Sequence, residues 1–243
     1  MHLDLYLESG PQHKRTWIFV PGLPGCSTVA RTSAEAPEAA TAAIEVRLDF
    51  LRRHGETELT DGAPIEPGAP IEPGAPIELS VAEHVIERQI LGFGQQFFAP
   101  DVQPLPAGDV PRLLRWAAWS REELVAAARA QRRPLAEKPD AGRSAAAILS
   151  HVASSEWAYV SGALGTLKGG SAAVAAIEAA GEEPWAALAA ERDAVVARLS
   201  ALTTDELGRV VERHGAPRWT ARRMFRRLLE HEWEHTLELE ARL

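Results

Sequence analysis

The segment Gly62–Glu78 sets the first limit on what this chain can fold into. The hexapeptide Gly-Ala-Pro-Ile-Glu-Pro begins at Gly62, Gly68 and Gly74, and the last copy ends in Leu79 instead of proline. Proline at every third position (Pro64, Pro67, Pro70, Pro73, Pro76) removes backbone donors and clashes with a preceding helical turn. Neither a helix nor a central strand can pass through it. The repeat predicts a polyproline-like connector or an exposed loop, and no chemistry is assigned to it. The repeat is therefore expected to separate one folded part before it from another after it. The chain's 243 residues favour two domains as well.

Before the repeat the pattern is mixed α/β. His2–Glu8 alternates in part and ends at Ser9-Gly10-Pro11, and Thr16–Val20 is aromatic and β-branched and stops at Pro21-Gly22. The two runs predict a hairpin, with a third short strand at Cys26–Ala30. Thr32-Ser33-Ala34-Glu35 has capping-box spacing and predicts the start of a helix that ends near Gly55. Val81–Arg88 fits either a strand or a short helix. The expected layout is a small module over residues 1–60, a connector with an unassigned segment over 61–108, and a helical domain over 109–243.

From Asp109 onward the text is alanine-rich and helical. Apolar spacing predicts helices over about 110–130, 143–164, 184–202 and 220–243, joined mostly by short links, which is the plan of a four-helix bundle. A second capping-box pattern, Ser120-Arg121-Glu122-Glu123, allows a break in the first of them. Arg222, Arg223, Arg226 and Arg227 form a basic strip, expected to be a solvated helix face.

The formal net charge is −8, with 34 acidic against 26 basic residues. That balance excludes a general attraction to nucleic acid or to an anionic membrane. Cys26 is the only cysteine, so no internal disulfide can form, and it is expected to be a small buried turn residue. No secretory signal pattern and no apolar run of about 20 residues is seen, so the expected compartment is the cytoplasm.

Three histidines interrupt the bundle's apolar stripes. His231 and His235, in His231-Glu232-Trp233-Glu234-His235, lie about 40° apart in helical projection, in line with Met224, Leu228 and Leu239. His151 sits among Ala147, Ile148, Val152, Ser155 and Tyr159 on the second helix. A buried unpaired imidazole is costly, and one divalent ion shared by all three relieves the cost. Three neutral nitrogen ligands leave positions open for water or substrate. Such a set suits zinc, nickel, cobalt or iron, with zinc or nickel expected. The same residues match the zinc-peptidase pattern H-E-x-x-H, but only eight residues follow His235 and none is a histidine. Glu232 and Glu234 are read as ordinary helix surface.

Leu149-Ser150-His151-Val152-Ala153-Ser154-Ser155-Glu156-Trp157 and the stretch from Arg218-Trp219-Thr220 to His235 resemble the second- and fourth-helix motifs of the DinB-like superfamily. The resemblance covers about residues 109–243. It implies an all-α four-helix bundle holding a divalent metal through His151, His231 and His235, and a link to transferases and isomerases that use a low-molecular-weight thiol. Glu156 and Trp157 are the expected substrate pocket for a small molecule. The alternative is a non-enzymatic, stress-related binding or assembly protein with a structural or vestigial metal site. Bundles of this kind suggest a homodimer. Val20-Pro21-Gly22-Leu23-Pro24-Gly25-Cys26-Ser27-Thr28, with the helix after it, is similar to HicB-type antitoxin-like modules, which implies a strand–strand–strand–helix layout over residues 1–55. The fold class expected for the whole is α+β, a small α/β module followed by an all-α bundle.

Overall fold

The structure is a computed structural model, and it describes residues 2–10, 14–57, 77–86, 97–212 and 218–243. Most of the proline repeat lies outside the described residues. The chain divides into two compact units, residues 1–101 and 102–243.

In the first unit, β1 (His2–Ser9), β2 (Lys14–Phe19) and β3 (Ser27–Thr32) precede α1 (Ala36–Arg53), and β4 (Glu78–Ile86) follows it. The sheet order is β3-β2-β1-β4. β1 and β2 form the expected antiparallel pair, with Tyr6 opposite Phe19 and Glu8 opposite Trp17. β4 resolves the open choice for residues 81–86 of the segment 81–88, whose last two lie outside the described residues: it is a strand, parallel to β1, with an irregularity between Leu5 and Tyr6 that leaves Ala82 unmatched. Alternation puts Leu5, Leu7 and Ile18 on one face and Tyr6, Trp17 and Phe19 on the other, where Phe98 packs on Tyr6 and Phe19. Both faces are thus buried at the centre of the sheet.

The turn from β2 to β3 is fastened from α1. Arg47 is fully buried and donates from Nε and Nη2 to the Pro24 carbonyl at 3.2 and 3.1 Å. Gly25 adopts φ +88°, and a Cβ there would run into the Arg47 guanidinium, so both backbone freedom and space call for glycine. Cys26 is buried beside it. The Thr32 box does not form. Ser33–Glu35 is a 3-10 turn with no side-chain cap, because Glu35 pairs with Arg31 at 3.1 Å and α1 begins only at Ala36.

The second unit holds α2 (Asp109–Arg129), α3 (Ala145–Leu164), α5 (Trp185–Ser200) and α7 (Ala221–Glu240) as its four long helices. Two shorter helices, α4 (Gly170–Ala179) and α6 (Thr204–Gly208), fill the joins. Side-chain caps fix three starts: Ser144 accepts from Ala147 N, Thr220 accepts from Arg223 N, and Thr203 with Glu206 makes a full capping box. The core is small and aliphatic, built on Leu124, Ala128, Ile148, Leu149, Val152, Leu188 and Leu239. α2 runs unbroken through Ser120, which is buried and caps nothing. The fold class is α+β, a small sheet followed by helices. Among the described residues no helix is long and apolar enough to cross a membrane.

Candidate metal centre

α3 carries His151 two turns from its Ser144 cap, and α7 carries His231 and His235 one turn apart. Their Nε2 atoms converge, His231 to His151 at 3.1 Å and His235 to His231 at 3.2 Å. The rings stand edge to face, 71–88° apart in plane. Two nitrogens bound at zinc-like distances and tetrahedral or octahedral angles are separated by about 2.9–3.4 Å. Both spacings fall in that range, and the three ligand nitrogens all lie within 4.8 Å of one another.

The protonation states fit as well. Burial, then Arg143 and His235, lowers His151 to about 4. Burial, with His235 and Arg227, lowers His231 to about 2, and burial lowers His235 too. All three rings are neutral near pH 7, as ligation requires. Glu238 Oε2 lies 2.7 Å from His235 Nδ1 and takes its proton in hydrogen bonding, which leaves the Nε2 lone pair facing the cluster. Arg242 pairs with Glu238 and donates to the Arg143 carbonyl at 2.8 Å, tying the end of α7 to the start of α3.

Beneath the histidines lies an ionic layer to which every long helix contributes. Arg121 of α2 binds Glu232 of α7, Glu156 of α3 at 2.7 Å and Glu191 of α5 at 3.1 Å. Arg192 reaches Glu232 at 2.7 Å and Glu156 at 3.3 Å. None of the five is more than 8% exposed. Three carboxyls face two guanidinium groups, which leaves one negative charge in excess when all are ionised. Burial and the neighbouring Glu156 push Glu191 up to about 7, against Arg121 and Arg192, so it keeps a proton to far higher pH than an ordinary carboxyl. Glu232 is held below the usual carboxylate range by Arg121 and Arg192, against its burial. It is therefore no surface residue and no free base for a peptidase-type reaction.

The expected pocket residues part company. Glu156 is committed to the ionic layer, while Trp157 packs over Gly170 at the start of α4, where a Cβ would sit 2.8 Å from the ring. The open space lies elsewhere: a cleft of 460 Å³ between α3 and α4, walled in part by His151. The basic strip is not a solvated face either. Arg223, Arg226 and Arg227 are all at most 2% exposed, and Glu230 binds the last two at 3.1 and 2.9 Å. Burial pushes Glu234 up to about 7, with Arg227 opposing.

The model of the DinB superfamily matches residues 34–239. The chain belongs to the DinB superfamily. No curated protein and no solved structure gives a significant match. In this DinB chain the matched span contains all three histidines and the whole ionic layer. Metal binding is frequent among DinB proteins, and the histidine cluster here can hold one ion. Sequence reasoning missed the layer because it took its members one at a time: Glu232 as helix surface, Arg121 as part of a capping box and Glu156 as a pocket residue. The available signal was Arg121 in register with Ala117 and Leu124, and Glu232 in register with Leu228, on the inward faces of their helices.

Proposed function

We propose that this DinB protein is a metal-dependent transferase or isomerase acting with a low-molecular-weight thiol. The observation that carries the reading is the set of three neutral imidazoles in which His151 and His235 each bring Nε2 within 3.2 Å of His231 Nε2, all three ligand nitrogens lying within 4.8 Å of one another, beside an open cleft. A divalent ion held there, zinc or nickel by donor chemistry, would supply a Lewis acid that lowers the pKa of a bound thiol. The protein's own groups do the rest. His151, His231 and His235 offer lone pairs only, so the ion's charge stays uncompensated and favours an anionic ligand such as thiolate. Glu238 orients His235, and the ionic layer fixes the rotation of α7.

The test is elemental analysis of untagged protein, with the His151→Ala and His235→Ala variants, followed by thiol-dependent turnover of an electrophile such as a chloro-nitroaromatic or maleylpyruvate. Near-stoichiometric metal lost in both variants, with turnover lost alongside, supports the reading. A filled site that turns over no electrophile with any of several thiols would refute the transferase.

A further inference from the structure

The cleft beside the histidines has a polarity of its own. At 460 Å³ it is in the range of small-molecule sites. Its walls are small or aliphatic on both helices, Ala147 and His151 of α3 facing Ile177 of α4, with two hydroxyls, Ser150 and Ser154, and one carboxylate, Glu178. Ser150 Oγ donates to Glu178 Oε1 at 2.8 Å. The second carboxylate oxygen is open, and no cation among the described residues pairs with Glu178. Several other carboxylates of this unit are matched: Glu156 and Glu232 to guanidinium groups, Glu206 to Arg198, Glu238 to Arg242, and Glu182 to two backbone amides of the α2–α3 join. Glu178 is exposed at the wall of the cleft, so its carboxylate is free to form a charge-assisted bond with a cationic group that enters there.

We infer that the α3–α4 cleft is a recognition subsite for a small ligand carrying a protonated amine, the ammonium on Glu178 and the remainder lying along Ala147 and Ile177 toward His151. This rests on the metal–thiol reading of the histidine cluster and sharpens it. An ion held by three neutral ligands would make the end of the cleft at His151 electropositive, and Glu178 makes its wall electronegative. The ligand that complements both is a short aminothiol, thiolate at one end and ammonium at the other.

The experiment uses full-length protein loaded with cobalt, whose thiolate charge-transfer absorption reports sulfur bound to the ion independently of turnover. Cysteamine and N-acetylcysteamine are titrated against the wild type and Glu178→Gln, in which the Ser150 hydroxyl still has an oxygen to donate to. Because the two thiols differ in acidity, the quantity read is the change in their affinity ratio between proteins. The expected preference for cysteamine falls about two- to fivefold in the variant, as for one exposed ion pair, while N-acetylcysteamine binds both proteins alike. An identical ratio in the two proteins, with the thiolate band present, overturns the subsite and leaves the thiol reading standing. No thiolate band with either thiol, on protein shown to hold cobalt, overturns the thiol reading and the aminothiol with it.

Discussion

Replacing Glu191 with glutamine tests whether the ionic layer really carries a proton. Two guanidinium groups and three carboxyls share a volume nearly closed to water, and Glu191 is the carboxyl raised to about 7 from an ordinary 4.5. A folded value above the unfolded one means that the group's stabilising share is complete at low pH and is lost as pH rises through about 7. At about pH 5.5 the unfolded chain has given up most of this proton while the folded chain keeps it. At about pH 8.5 both have lost it, and the folded state holds an extra buried charge. With 1.36 kcal/mol per pKa unit, the wild type loses about 2 kcal/mol from this one group between those two pH values. Glutamine has the shape of the protonated acid, can still accept from Arg121 Nη1, and cannot ionise. The stability of Glu191→Gln relative to wild type should therefore rise by about 2 kcal/mol between the two pH values. Urea unfolding of full-length protein, followed by helical circular dichroism so that the signal comes mainly from the bundle, measures it. A difference that stays constant, or shrinks, refutes the assignment of the proton to Glu191.

Three further outcomes follow from the same contacts. Arg121→Met leaves Glu156, Glu191 and Glu232 sharing Arg192 alone, and the loss should be about 3–5 kcal/mol in the same urea assay; a loss below about 1 kcal/mol would mean that water reaches the layer. Glu238→Gln removes the charged partner of His235 Nδ1 without touching a ligand, and zinc affinity measured against a competing chelator should drop about 10–100-fold; unchanged affinity would show that His235 is oriented by packing alone. Gly170→Ala forces a methyl against the Trp157 ring and should cost about 1–3 kcal/mol, with a shift in indole fluorescence as α4 moves; a silent variant would mean that α4 is not seated on Trp157.

How much of this was legible in the sequence depended on which signal each element carries. The four long helices were readable because apolar spacing, alanine content and joins rich in glycine and proline all agree, so their expected spans differ from the observed ones by only a few residues. The three histidines were readable because each breaks an apolar stripe at an inward position. β4 was not, since Glu78–Ile86 is half-exposed and charged, and its pairing with β1 is a contact across more than seventy residues that no local pattern encodes. The Thr32 and Ser120 boxes failed for a related reason. A capping motif is only a local competitor for a side chain, and Arg31 won Glu35 while the bundle core won Ser120 and Arg121. Charged residues misled most, because the default that a charge faces solvent holds only where no partner waits across the helix interface.

α7 shows why those charges are inside. Fifteen of its twenty residues are buried, far more than one apolar stripe can account for, so its polar residues had to find partners within the protein. It meets the demand in three ways on different faces: Glu230 takes Arg226 and Arg227, Glu232 takes Arg121 and Arg192, and the histidines face His151. These solutions are not independent. Aliphatic contacts with an alanine-rich core are non-directional and would tolerate a small rotation of the helix. Guanidinium–carboxylate pairs are directional and would not. Since successive residues point about 100° apart on a helix, fixing Glu232 between α2 and α5 also fixes where His231 points. The ionic layer thereby sets the aim of ligands it never touches, and disturbing it should loosen the histidine cluster before it unfolds the bundle.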